Sequence, residues 1–443
     1  MLKIHLDEAR REAVKAIRAH LDREAGIRQA VLIEDLFGQF RLVLWLEGDR
    51  GHLVDDHLDG DLKSAAGPYW TSEFWFVSEK TPAADREVYE RAWREARPFE
   101  GSERLRIADR YRTRSGWMRE LAEPPWQPSE GPSDEGPPIL VYYSFKGGVG
   151  RSTALASFAI QRARAGERVA VVDFDLDAPG VGVLLAADEQ GTIATWGVID
   201  YLLERPYGEV DLGDYYHACR RPSVTLSGEI LVFPAGRIDP DYLGKLARTD
   251  LELPADKLLH QRLHQLLEQI RDELKPQWLL IDARTGLSES SGLLLGGLAH
   301  LHVLFGTSSE QSWQGLRLII ERLGEERVLA DKPQSECVLV QALVPENVEV
   351  SRLAAAQFTE RARDEFSEYY YAADPDDPSE DRFWYVRDME DDDAPHVPLS
   401  LSYQPKLSHF RVLDDVADEL AELPEYRRLA QRISERFLRR GPQ

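Results

Sequence analysis

The chain has 443 residues, 43% of them hydrophobic and 30% charged, with a formal net charge of −24. This is the composition of a folded globular protein, and its acidity argues against a broad nucleic-acid-binding face, so nucleic acid is not an expected partner. Two cysteines, Cys219 and Cys337, in so long a chain fit reduced thiols and a cytoplasmic setting, and no apolar run is long enough to span a membrane. The charged opening "MLKIHLDEARREAVKAIRAHL" has no apolar core of signal-peptide length.

In chain order, "LDEARREAVKAIRAHLDREAG" has helical apolar spacing that stops at Gly26. "AVLIEDLFGQFRLVLWLEG" predicts two strands around a short turn, "YWTSEFWFVS" an aromatic strand, and "DREVYERAWREA" a helix. Together these predict a small α+β module over residues 1–122. Its aromatic residues read first as core, with a contact surface as the alternative. No catalytic constellation is evident in it. It is the expected site for a protein partner of unknown identity. "EPPWQPSEGPSDEGPP", residues 123–138, then has the chemistry of a linker.

From 139 to 443 the pattern alternates. "ILVYYS", "RVAVVDF", "EILVFPAG", "QWLLIDA", "HLHVLFG" and "CVLVQALV" are apolar strands, with helical stretches such as "STALASFAIQRARAG" between several of them. Strands that are apolar throughout and alternate with helices predict an α/β fold, a doubly wound and mostly parallel sheet covered on both faces. An acidic, Pro-interrupted insertion falls near 372–395, and "EYRRLAQRISERFLRR" closes the chain as a helix.

The chemistry concentrates in "YYSFKGGVGRSTALA". A glycine run between a strand and a helix offers backbone N–H groups and a helix N-terminus to an anion. Gly147, Gly148, Val149 and Gly150 form that run, with Ser152 and Thr153 opening the helix and Ser152 at the metal position. The usual phosphate-binding lysine is replaced by Arg151, and Lys146 stands ahead of the glycines.

"KGGVGRST" resembles the deviant Walker A motif of the ParA/MinD ATPases, P-loop NTPases of the SIMIBI class, in a KGGVGR variant where arginine is the normal occupant. The resemblance extends over about Ile139 to Arg440. "RVAVVDFDLDAPG" resembles that family's switch I, "TWGVIDYLL" and "EILVFPAG" resemble segments that follow it, "QWLLIDARTG" resembles Walker B with switch II, and "VPLSLSYQPKL" the late turn beside the base. The resemblance implies ATP and Mg²⁺ as ligands and a homodimer that sandwiches two nucleotides. Lys146 would reach across the dimer to the partner's ATP, and Arg151 would contact phosphate. Ser152, Asp173 and Asp282 would lie about the metal, and Asp175 would orient the attacking water. Arg284 has two readings, a salt bridge or an arginine finger supplied in cis, the first favoured. Gln341 and Pro398 would lie beside the base. Asp177 is extra. Ala178 and Leu184 stand where a calcium loop needs its turn residue and bidentate acid, so "DFDLDAPG" is not such a loop.

The implied function is an ATP-controlled dimer switch, slow in hydrolysis, in bacterial signalling or defence. Two other classes compete: a non-catalytic nucleotide-binding scaffold, and a cargo-positioning ATPase on DNA or membrane. Three other signals read as structural. They are the pair His260 and His264, the run Tyr369 to Tyr371, and the apolar stripe Leu429, Ile433 and Phe437 of the last helix.

Overall fold

The computed structural model describes the chain except residues 1–3, 48–55, 100–101, 111–116, 118–120, 129–135, 250–257, 376, 378–381 and 439–443. It divides into two units, Met1–Arg112 and Thr113–Gln443.

In unit 1, helix α1 (Leu6–Arg23) precedes strands β1 (Ile27–Glu34) and β2 (Phe40–Leu46). Helix α2 (Asp56–Ala66), strand β3 (Trp70–Val77), helix α3 (Ala83–Glu95) and strands β4 (Arg97–Phe99) and β5 (Ser102–Asp109) follow. The sheet order is β3-β2-β1-β5-β4. The expected hairpin forms with Ala30 opposite Leu44, and β5 joins β1 in parallel. Alternation along β1 divides the core. Ala30 and Leu32 pack among residues of α1 and α2, and Val31 and Ile33 pack with Ala96 and the partly buried Tyr89 and Trp93. Trp70 is buried, whereas Trp75 and Phe76 are about 40% exposed, so the aromatics divide between core and surface. The sequence reading has no α2, β4 or β5. "DHLDGDLKSAA" holds an internal glycine, and "SERLRIAD" is polar at five of its eight positions.

Unit 2 is built on an eight-stranded sheet. Its strands are β6 (Ile139–Ser144), β7 (Arg168–Phe174), β8 (His217–Cys219), β9 (Glu229–Phe233), β10 (Trp278–Ala283), β11 (Leu301–Gly306), β12 (Cys337–Val344) and β13 (Leu399–Ser402). The order is β13-β12-β11-β6-β10-β7-β9-β8, and every pairing is parallel except β8 with β9. Both faces are covered. Helix α4 (Arg151–Arg164) lies on one face, where Phe158 packs with Leu140 and Tyr142. The later helices α5 (Val198–Glu204), α6 (Tyr242–Thr249), α7 (Leu258–Gln269), α8 (Glu289–Leu294), α9 (Glu310–Leu323) and α10 (Val348–Tyr369) follow in order. On the second face Ile139, Val141 and Tyr143 pack with Leu263 of α7 and Ile320 of α9. The last two helices, α11 (Ala417–Glu422) and α12 (Pro424–Leu438), return to the first face. There Leu429 and Ile433 are buried and Phe437 meets Trp278 edge-on, so the apolar stripe of α12 serves packing. No described helix is long and apolar enough to cross a membrane.

The expected linker is anchored at both of its described ends. Trp126 is buried, donates from its indole N–H to Pro137 O, and carries the Arg271 guanidinium 4.9 Å above its ring. Residues 129–135, its middle, lie outside the described residues. His300 joins this segment to the sheet. Its Nδ1 accepts from Ile139 N at 2.8 Å, so the ring is neutral with Nε2–H donating to Trp126 O at 2.6 Å. Burial drives the pKa of His300 and of fully buried His302 down to about 4. A proton on His300 Nδ1 would displace the bond from Ile139. A depressed histidine pKa means that the unfolded chain takes up protons first. Stability is therefore complete above about pH 6.5 and is lost as pH falls toward 4. Each ring contributes about 2 kcal/mol of loss at about pH 5. Thermal unfolding between pH 7.5 and 4.5 should show a steep fall, reduced by His300→Gln. A flat profile would refute this.

Candidate nucleotide site

The loop between β6 and α4 adopts a conformation that only its glycines reach without strain. Gly148 and Gly150 have φ of +73° and +83°. A Cβ built on Gly147, Gly148 or Gly150 would meet nothing within 4 Å, so open space lies over the loop. Helix α4 starts at Arg151 with no side-chain cap on its N-terminus. A 14-residue helix with an uncapped N-terminus beside an open glycine loop is a receptor for an anion.

The carboxylates come from the adjoining strand ends. Asp282 of β10 stands opposite Asp173 of β7 in register, and both are buried. Arg151 does not extend into solvent. Its side chain is only 8% exposed; Nε donates to Asp282 Oδ1 at 2.6 Å and Nη2 to Asp175 Oδ2 at 3.0 Å. Ser152 Oγ donates to the other oxygen, Asp282 Oδ2, at 2.6 Å. One guanidinium thus bridges a carboxylate on β10 and one in the loop after β7, a geometry that one ammonium does not match. Burial opposes the charge on Arg151, yet Asp282 and then Asp175 hold its pKa above the ordinary arginine value.

Asp173 is different. Its Oδ2 accepts from Gly180 N and Gly182 N at 3.1 and 3.2 Å. Burial, reinforced by Asp282 across the register, raises its pKa to about 7. Two buried polar atoms here have no hydrogen-bond partner among the described residues, Asp173 Oδ1 and Arg151 Nη1. An unmet acceptor on a carboxylate and an unmet donor on a guanidinium suit a hydrated cation and a phosphate oxygen respectively. The residues present therefore fit a metal–nucleotide pair.

Residues 140–357 match the model of the family described as the CobQ/CobB/MinD/ParA nucleotide binding domain. This is a ParA/MinD-type P-loop NTPase domain. Structures similar to the chain include a plasmid partition protein from Borrelia burgdorferi bound to AMPPNP (15% identity, 68% of this chain and 99% of that one, TM-score 0.42). Another is the cell division ATPase MinD of Pyrococcus furiosus (16% identity, 67% and 98%, TM-score 0.40). A third is cobyrinic acid a,c-diamide synthase from Mycobacterium smegmatis with bound ATP analog and magnesium (20% identity, 54% and 84%, TM-score 0.38). The curated proteins contain no match to this chain.

Within the NTPase domain, Lys146, the glycines, Val149, Arg151, Ser152, Thr153, Asp173, Asp175 and Asp282 all lie at the C-terminal ends of β6, β7 and β10, in the loops that follow, or in the first turn of α4. Lys146 is half-buried and makes no hydrogen bond or ion pair among the described residues. Arg284 pairs with Asp177, which explains the extra aspartate and matches the salt-bridge reading.

The base-side residues fare otherwise. Gln341 is buried, and its amide is turned inward. Nε2 donates to Ala354 O at 3.2 Å, and Oε1 accepts from Ser400 Oγ at 3.0 Å. Pro398 does not line the space beside the loop. That space is a cavity of about 70 Å³ lined by Gly148, Val149, Gly150, Thr153, Leu343, Leu401, Tyr403, Gln404 and Tyr426 among others. The usable signal in the sequence is "SYQPKL", an aromatic and an amide immediately after a short strand. A second cavity, about 720 Å³, opens between Leu176 and Asp177 on one side and 284–290 on the other.

His260 and His264 lie with Nε2 atoms 3.1 Å apart, and no group of three or more metal-binding side chains exists among the described residues. Tyr369, Tyr370 and Tyr371 are buried, with Tyr370 donating to Ser335 O. The three tyrosines belong to the core of the second face.

Proposed function

We propose that the chain is an ATP-binding, slowly ATP-hydrolysing switch that dimerises around two nucleotides and acts on a protein partner recognised by residues 1–112. One observation carries the reading: an open glycine loop and uncapped helix lie beside a buried arginine that bridges two carboxylates and keeps one donor unmet. The loop N–H groups and the start of α4 would hold the phosphates. Ser152 and Asp282, with Asp173 behind them, would hold Mg²⁺, which supplies positive charge against the phosphates. Tyr403, Gln404 and Tyr426 would lie along the base, replacing the role first given to Gln341 and Pro398.

Asp175 would orient water only when Arg151 releases it, and that requirement makes turnover slow. The same grip favours a second reading, binding without hydrolysis, in which nucleotide acts as a structural ligand.

Lys146 is the residue whose position favours the dimer. It precedes the loop and has no partner within its own chain among the described residues. Calorimetry with Mg²⁺ and a slowly hydrolysed ATP analogue should show binding. Light scattering should show the mass double with the analogue and not with ADP. Lys146→Ala should abolish the doubling and leave binding within about three-fold of the parent. Binding without any change of mass would eliminate the dimer and leave the nucleotide site. No heat with any nucleotide would eliminate both.

A further inference from the structure

Trp117 is the first described residue of unit 2. Trp117 donates from Nε1 to Ser288 O at 2.6 Å. Its ring lies on α8 at Gly292, where a Cβ would come within 2.5 Å of Cδ1. The Arg322 guanidinium lies 6.0 Å over the same ring. Farther on, Ala122 N donates to Gly296 O at 2.7 Å, and Arg327 donates to both Ala122 O and Glu123. Lys332 Nζ donates to Leu121 O at 2.5 Å. Trp117 therefore meets α8 at its N-cap, and Ala122 meets the chain just beyond its C-terminus.

The N-cap is connected to the site by a short series of contacts. Ser288 Oγ caps Ser291 N at 3.2 Å. Ser291 Oγ donates to Arg284 O at 2.7 Å. Arg284 pairs with Asp177, two residues from Asp175, which Arg151 holds. The same stretch, 284–290, borders the cavity of about 720 Å³. It is bracketed by Trp117 on one side and borders open space on another. A loop so placed takes the orientation its bracket sets.

We propose that Trp117 is a positioning residue for the loop 284–290. It fixes that loop against the phosphate site and makes the site's turnover depend on the contact of Trp117 with Ser288 and Gly292. The inference rests on the nucleotide-switch reading. Contiguity of contacts alone does not establish coupling, so the test measures coupling directly.

The full-length protein, Trp117→Phe and Gly292→Ala are compared. Phenylalanine keeps a ring and removes the N–H to Ser288. Alanine at 292 displaces the ring from the other side. Each variant is measured for ATP affinity by calorimetry, for kcat and KM, and for amide hydrogen exchange of 284–290 with and without ATP. Both variants should lower kcat about five-fold or more with KM and affinity within about two-fold. Both should also lose most of the ATP-induced protection of 284–290 seen in the parent. If the parent turns over too slowly to time, the exchange result decides. Unchanged kcat and unchanged protection in both variants overturn the proposal. So does a loss of affinity and thermal stability in step with kcat, which marks a merely structural residue. A parent that binds no ATP overturns the nucleotide reading and this inference together. A parent that binds ATP beside indifferent variants overturns this inference alone.

Discussion

Arg151→Met will destabilise the nucleotide-free protein by about 3–5 kcal/mol, and millimolar Mg²⁺ will restore much of that loss. Arg151 supplies the only ion pair that Asp175 or Asp282 makes among the described residues. Methionine matches much of the volume and none of the charge. Its presence leaves two buried carboxylates facing each other near Asp173 with no cation between them. Deleting one partner of a buried pair costs far more than the pair contributes, because the remaining charge stays desolvated. A divalent cation is the natural replacement, since Ser152 and Asp282 are already 2.6 Å apart. The parent, whose carboxylates are neutralised by Arg151, should show little response to Mg²⁺ in the absence of nucleotide. Denaturant unfolding of both proteins with and without Mg²⁺ measures this. A variant as stable as the parent, or one indifferent to Mg²⁺, would show that Arg151 does not neutralise this cluster.

The same residue shows what a sequence carries and what it withholds. The strand–glycine–helix context of residues 139–164 was legible because each part has its own local signal: an apolar run, glycines, then helical spacing. Asp173 and Asp282 were legible as strand-end acids. Their register was not, because it depends on which strands are neighbours. β7 and β10 pair although about a hundred residues separate them. The direction of the Arg151 side chain was equally hidden. A residue type states which bonds are available, and only the fold states which are made.

Gln341 went the other way. It lies within β12, and its amide is used by Ala354 and by Ser400 of β13, whose pairing with β12 the apolar strand runs in the sequence did not show. The stretch 123–138 was misleading because its prolines, glycines and acids describe a solvated chain. Trp126 within it, and Trp117 before it, were the contrary signals. A large apolar ring in polar chain has little reason to remain in water, and each is packed on unit 2.

Arg151→Lys should lower ATP affinity or turnover about five- to ten-fold rather than raise either. Lysine is the residue most P-loops carry at this position, so a damaged site would recover on its return. The geometry argues that this pocket is built for a fork. Nε and Nη2 serve carboxylates on β10 and in the loop after β7, and Nη1 is the donor left over. A single ammonium on a shorter stem can hold one carboxylate or meet a phosphate, but it cannot keep Asp175 and Asp282 joined while a third donor stays free. With lysine, Asp175 would lose its only ion pair among the described residues, and the loop carrying Asp177 and its Arg284 contact would lose its anchor to α4. A drop confined to kcat would place the fork's role in the reacting state, and a drop confined to affinity would place it in holding the phosphates. A several-fold gain in turnover would instead show that arginine restrains a site otherwise ready for lysine, with Asp175 freed to act as soon as the fork is removed.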